Sequence, residues 1–114
     1  MQQDKLLNDI ANDRTHGSTD LALLALDGIS KAANATDTVL LAVFQQRMQS
    51  LIRSLQSSRP SMVALNNLLE RVRLPISQFN SRDLKAYRKL IIDHCAEAKS
   101  FAREAQSQAV IEMV

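Results

Sequence analysis

Tryptophan is absent from this chain, and the aromatic content is one tyrosine (Tyr87) and three phenylalanines (Phe44, Phe79, Phe101). A single cysteine, Cys95, excludes a disulfide framework and a cysteine-based metal site. It fits a reducing, cytoplasmic setting. Only two glycines and two prolines interrupt a chain rich in Leu, Ala, Gln, Arg and Ser, a balance that favours helix over sheet. No apolar signal core follows Met1-Gln2-Gln3-Asp4-Lys5, and no apolar run approaches the length of a membrane span, so no membrane partner is expected. A Gly-rich phosphate loop, HExxH, GxSxG and CxxC are all missing. Neither a cofactor nor a metal is expected, and no residue is assigned a catalytic role.

What is present points to one all-α domain. A length of 114 residues suits a single domain. The apolar residues recur at three-four spacing, which predicts a single bundle of about five helices with a long C-terminal one. Leu6, Leu7, Ile10 and Ala11 mark a short first helix over 3–13. Leu21, Leu24, Ala25 and Ile29 form the inner face of a second, reaching about Ala33. Leu23 and Leu26 widen that face, so this helix should be central. Gly28 inside it implies a close helix crossing. Thr36 or Asp37 should cap a third helix, with Leu40, Val43, Phe44, Met48, Leu51, Ile52 and Leu55 inward to about Gln56. A fourth should bury Leu65, Leu68, Leu69 and Val72 and stop at Pro75. The last, from Ser81, should turn Leu84, Tyr87, Ile91, Cys95, Ala98, Phe101, Ala102 and Ala105 inward. Leu24, Phe44, Leu51, Leu68 and Ile91 are expected in the core. Further apolar residues on the last helix, among them Leu90, Ile92, Val110, Ile111 and Met113, predict self-association through 105–114.

Charge is unevenly distributed. Residues 1–52 carry a net −2, residues 53–89 a net +6 and residues 90–114 a net −2. The basic middle suits an anionic ligand, an acidic partner or a solvated face. Phe79 and Tyr87 are the only aromatics there, too few to stack RNA bases, so nucleic acid is not the expected partner. His94 borders the Ile91–Ala98 stripe and reads as a packed or edge histidine; His16, in a loop, is the better site candidate. Cys95 reads as a small buried hydrophobe. Asp93 and Glu97, four apart, read as surface patterning.

Two helix starts remain. Gly17-Ser18-Thr19 precedes the second helix and Ser58-Arg59-Pro60-Ser61 the fourth. Each offers hydroxyls and the unpaired N–H groups of a helix end, and Arg59 adds a planar cationic fork. Such an end favours an anion, phosphate above all, but the more ordinary reading of these residues alone is a capped start with Arg59 in water. An anion clamp requires both starts on the same side of the bundle.

The run Arg14-Thr15-His16-Gly17-Ser18-Thr19-Asp20-Leu21-Ala22, followed some forty residues later by Ser58-Arg59-Pro60-Ser61-Met62-Val63-Ala64-Leu65-Asn66, resembles the N-terminal helical domain of the translation initiation factor 2B alpha/beta/delta-subunit family. That family includes ribose 1,5-bisphosphate isomerase and 5-methylthioribose 1-phosphate isomerase. The resemblance implies that residues 1–114 are the helical domain, and that the family's catalytic Rossmann-like C-terminal domain is not among them. It implies ligand-binding groups at Gly17, Ser18, Thr19, Arg59, Pro60 and Ser61. It also implies a role in closing over a sugar-phosphate or nucleotide, or in presenting a regulatory surface, with no catalysis by this domain alone. The full-length protein would be a sugar-phosphate isomerase or a regulatory subunit. Ser61 stands where the isomerases usually carry Thr, and Cys95 does not match their catalytic cysteine. The alternative is a free-standing helical module that binds an acidic protein or RNA through 53–89.

Overall fold

A computed structural model describes residues 2–13, 17–35, 40–80 and 82–112, the side chains of 2–4, 18 and 105–112 excepted. Five helices follow one another: α1 Gln2–Asn12, α2 Ser18–Ala35, α3 Leu41–Ser58, α4 Val63–Ser77 and α5 Leu84–Glu112. No strand occurs among the described residues. The second helix is central, as its broad apolar surface predicts: α1, α3, α4 and α5 all pack against it. α5 has 29 residues against 18 in α2. At 1.5 Å per residue it is about 16 Å longer than α2 and gives the molecule its long axis. None of the helices, over the described residues, is long and apolar enough to cross a membrane.

The core is built from the expected stripes. Phe44, Met48, Leu51, Ile52 and Leu55 of α3 and Leu65, Leu68, Leu69 and Val72 of α4 are buried, as are Tyr87, Ile91, Cys95, Ala98 and Ala102 of α5. Leu24 and Phe101 depart from expectation, at 45% and 47% exposure. In α2 the interior takes Leu21, Ala22, Ala25, Leu26, Ile29, Ala32 and Ala33. Counted at about 100° per residue this is an arc of roughly 140°, and Leu24 falls roughly 60° outside it. The alanines let neighbouring helices approach and draw the arc's centre toward Ala25 and Ile29. Phe101 lies one position off the α5 stripe. Its ring instead supports the Arg71 guanidinium, 4.1 Å from the centroid.

Helix ends differ more. α4 does not stop at Pro75 but runs through it to Ser77. Proline in the last turn forfeits one internal bond, and burial of Ile76 holds the turn in place. Gln78 and Phe79 N–H then donate to the Leu74 and Ile76 carbonyls. The last helix begins at Leu84, and Asp83 Oδ1 accepts from Lys85 N–H at 3.0 Å in an N-cap. Ser81, the expected start, lies outside the described residues, as do Thr36 and Asp37. Leu40 stands just before α3, 61% exposed, and caps it without a side-chain bond.

Gly28 marks the helix crossing. A Cβ there would lie 2.5 and 2.7 Å from the Leu6 methyls, so α1 rests its leucine against the bare backbone of α2, and a side chain at 28 would force Leu6 to shift. Phe44 and Phe79 meet Tyr87 edge-on, with centroids 5.3 and 5.0 Å away. The Tyr87 hydroxyl is buried without a hydrogen-bond partner, and burial pushes its acidity constant up to about 12. Burial likewise raises the Cys95 thiol to about 11, so it stays protonated and packs as a small hydrophobe.

Candidate functional site

The start of α2 is set by Gly17, whose carbonyl accepts Leu21 N–H at 3.0 Å. No φ among the described glycines is positive, and a Cβ at Gly17 would meet nothing within 4 Å. The position is therefore open rather than conformationally forced. Asp20 lies in the first turn, where the dipole favours it. Thr19 is half-buried; the Ser18 side chain and His16 lie outside the described residues.

The approach to α4 is a turn of its own. Met62 N–H donates to Arg59 O at 3.1 Å, and α4 begins at Val63, with Met62 as a cap that makes no side-chain bond. Pro60 thus lies in the turn rather than in the first helical position, and Pro60 and Ser61 are exposed. Ser58 does not cap α4: its hydroxyl donates back to Leu55 O at 2.7 Å. Asn66 braces the turn instead, its Nδ2 reaching the carbonyls of Arg59 (3.1 Å) and Pro60 (3.4 Å). Asn66 stands in the motif but offered no separate signal in the sequence, because its partners are backbone atoms.

The Arg59 side chain reaches across to the end of α1. Its Nη1 donates to the carbonyls of Ile10 (3.2 Å), Ala11 (3.1 Å) and Asp13 (2.8 Å), the C-terminal end of α1. Those are carbonyls that a helix end leaves without internal partners, and a cation suits the negative end of the dipole.

The two helix starts nonetheless border one space. A cavity of about 520 Å³ is lined by Thr19 of α2, by Ala64, Asn67 and Leu68 of the first half of α4, and by Phe101 and Ala102 of α5. Its rim carries Arg71, whose Nη2 lies 3.7 Å from Glu97, and Glu70. Arg73 donates to Glu70 through Nη2 at 2.8 Å, and Gln56 Nε2 donates at 3.2 Å. The Arg73 hydrogen bond, reinforced by Gln56, pulls the Glu70 carboxyl from 4.5 to about 2. Thr19 belongs to the expected set; Asn67 and Arg71 were not expected at a site and Phe101 was expected in the core, because the three meet only after α4 and α5 pack. A second groove, of about 360 Å³, separates α1 from α2 and is edged by Lys5, Asp9, Leu24 and Lys31.

The low Glu70 value has a testable sign. A carboxyl whose acidity constant falls on folding stabilises the fold above its unfolded value and loses that contribution as pH drops toward the folded one. Urea midpoints should therefore decline between pH 4.5 and about 2. Glu70→Gln should flatten that decline; an equally steep profile in the variant would assign it to other carboxyls, such as Asp27, lowered by its hydrogen bond from Lys99.

The basic stretch is partly consumed within the fold. Of the eight cations between 53 and 89, Arg59 holds α1, Arg71 sits against Phe101 and Glu97, Arg73 binds Glu70, and Arg88 Nε donates to Ala33 O at 3.0 Å. His94 is half-buried, with Nδ1 3.8 Å from Glu97. The side chains of 105–114, expected to mediate association, lie outside the described residues.

Residues 14–113 match the family model described as the Initiation factor 2 subunit family. The match leaves out α1 and takes in the other four helices. Among curated proteins, none matches the chain.

Proposed function

Because this chain belongs to the Initiation factor 2 subunit family, we propose that its bundle forms one wall of a binding site for a phosphorylated small molecule, a sugar-phosphate or nucleotide, whose other wall is a second domain of the full-length protein. In this reading Gly17, Ser18 and Thr19 present the α2 start to the anion, and Arg59, Pro60 and Ser61 present the turn before α4. The wall binds and encloses; it performs no bond chemistry. The observation that carries the reading is the single cavity shared by Thr19 and Ala64. A helix start directs N–H groups and a partial positive charge outward, and two starts on one space favour an anion between them. The apolar side of the same cavity, Leu68, Leu74 and Phe101, suits the body of a ligand or the surface of the closing domain.

Amide NMR of the chain titrated with ribose 5-phosphate and with inorganic phosphate tests this. With one wall only, binding should be weak, with Kd near about 1 mM or above. Saturable shifts should centre on Thr19 and on residues 61–64. Shifts reproduced by sodium chloride at matched ionic strength would reduce them to screening, and the reading would fall.

A further inference from the structure

We propose that α1 sets the turn before α4 from a distance: docking of α1, transmitted through Arg59, fixes the turn over 59–62, and release of α1 frees that turn while the rest of the bundle stays folded. The inference stands independently of the ligand reading above. The turn is placed by hydrogen bonds more than by packing. Between Leu55 and Leu65 no side chain is buried, and Met62 rests only part-way on the core. Arg59 acts at both ends of the link. Its backbone carbonyl accepts Met62 N–H and Asn66 Nδ2, each at 3.1 Å. Its side-chain Nη1 donates to the carbonyls of Ile10, Ala11 and Asp13. One residue therefore joins the end of α1 to the turn that leads into α4.

The first helix is also the element best suited to leave alone. It has 11 residues, a length at which a helix in water is marginal without tertiary support. Of its described side chains only Ile10 is buried, against five in α3 and five in α4. Leu6 and Leu7 are half-buried, with Leu6 against the Gly28 backbone. Elements with so little buried surface open at a lower free energy than the whole fold. When α1 leaves, the guanidinium exchanges its carbonyls for water and regains rotamer freedom, and Arg59 no longer holds the turn from that side. The coupling is reciprocal: whatever factor α1 docking adds to the closed turn, the closed turn adds to α1 docking. α1 lies outside the matched family range and Arg59 inside it. A segment beyond the shared region thus governs how firmly the start of α4, with Ala64, Asn67 and Leu68 on the cavity, is held.

Amide hydrogen exchange on the full 114-residue chain reads the coupling. Leu6→Asp sets a charge against Gly28 and should undock α1. Exchange of the Met62 and Asn66 amides, which donate to Arg59 O and Met62 O, should then rise about tenfold, within the usual range of coupling between sites. The amides around Ile91 in α5 should keep their rates. Asn66→Ala removes the brace on the turn and should in return speed exchange of residues 10–12. A turn that keeps its protection while α1 exchanges freely overturns the proposal, as does an α1 indifferent to Asn66→Ala. Equal acceleration of all five helices overturns it too, because α1 would then not be a separate unit. Should Leu6→Asp fail to fold, the parent chain in sub-denaturing urea supplies the answer. Residues 6–12 and Met62 should share one opening below that of α5, and separate openings would refute the link.

Discussion

Phe44→Ala should cost about 3–5 kcal/mol, the range for emptying a phenylalanine site in a core that only partly relaxes. The ring is fully buried in the first turn of α3. It meets Tyr87 of α5 edge-on at 84°, and the Arg88 guanidinium lies 5.4 Å from its centroid. Arg88 also holds the end of α2 through Ala33 O, so one ring backs the contact of three helices. Tyr87 is itself fully buried and packed on Phe79, so moving it into the space would give up that contact. Thermal melts should show a fall in Tm of roughly 10–20 °C. A variant that melts within a degree or two of the parent would mean that α3 does not enter the bundle through Phe44.

The fold was legible because helix signals are local. Three-four spacing and a scarcity of Gly and Pro predicted every helix and most of the core. Gly28 was legible too, since a glycine inside a strongly apolar helix needs a close neighbour, and Leu6 is that neighbour. Ends were read less well. Pro75 carries a general penalty in helices, but the burial of Ile76 after it decides whether the last turn survives, and that depends on packing. α5 begins at Leu84, three residues after the expected start, with Asp83 as its cap, a boundary that no spacing rule contains. The candidate site divides in the same way. Gly17 and Thr19 could be placed at a helix start from residue type alone. The direction of Arg59 could not, because its partners are carbonyls 46 to 49 positions away, and every residue has a carbonyl. Asn67, Arg71 and Phe101 become cavity residues only through the crossing of α4 and α5.

The rotation of α2 about its own axis is where stability and the site meet. The apolar pattern alone places Leu24 on the inner face, yet it is 45% exposed and Leu26 is fully buried. Two positions along a helix differ by about 200°, so these leucines report opposite faces. Leu26→Ala should cost about 2–5 kcal/mol, whereas Leu24→Ala should stay within about 0.5 kcal/mol, as for a surface substitution. Denaturant midpoints at constant m value would measure both. The comparison bears on function because Thr19 lies seven residues before Leu26, within about 20° of it around the axis, and roughly 140° from Leu24. The rotation that buries Leu26 is therefore the one that turns Thr19 toward α4 and α5 and into the shared cavity. If Leu24→Ala proved the costlier of the two, α2 would be rotated the other way. Thr19 would then face away from the first turn of α4, and the two helix starts could not serve one anion.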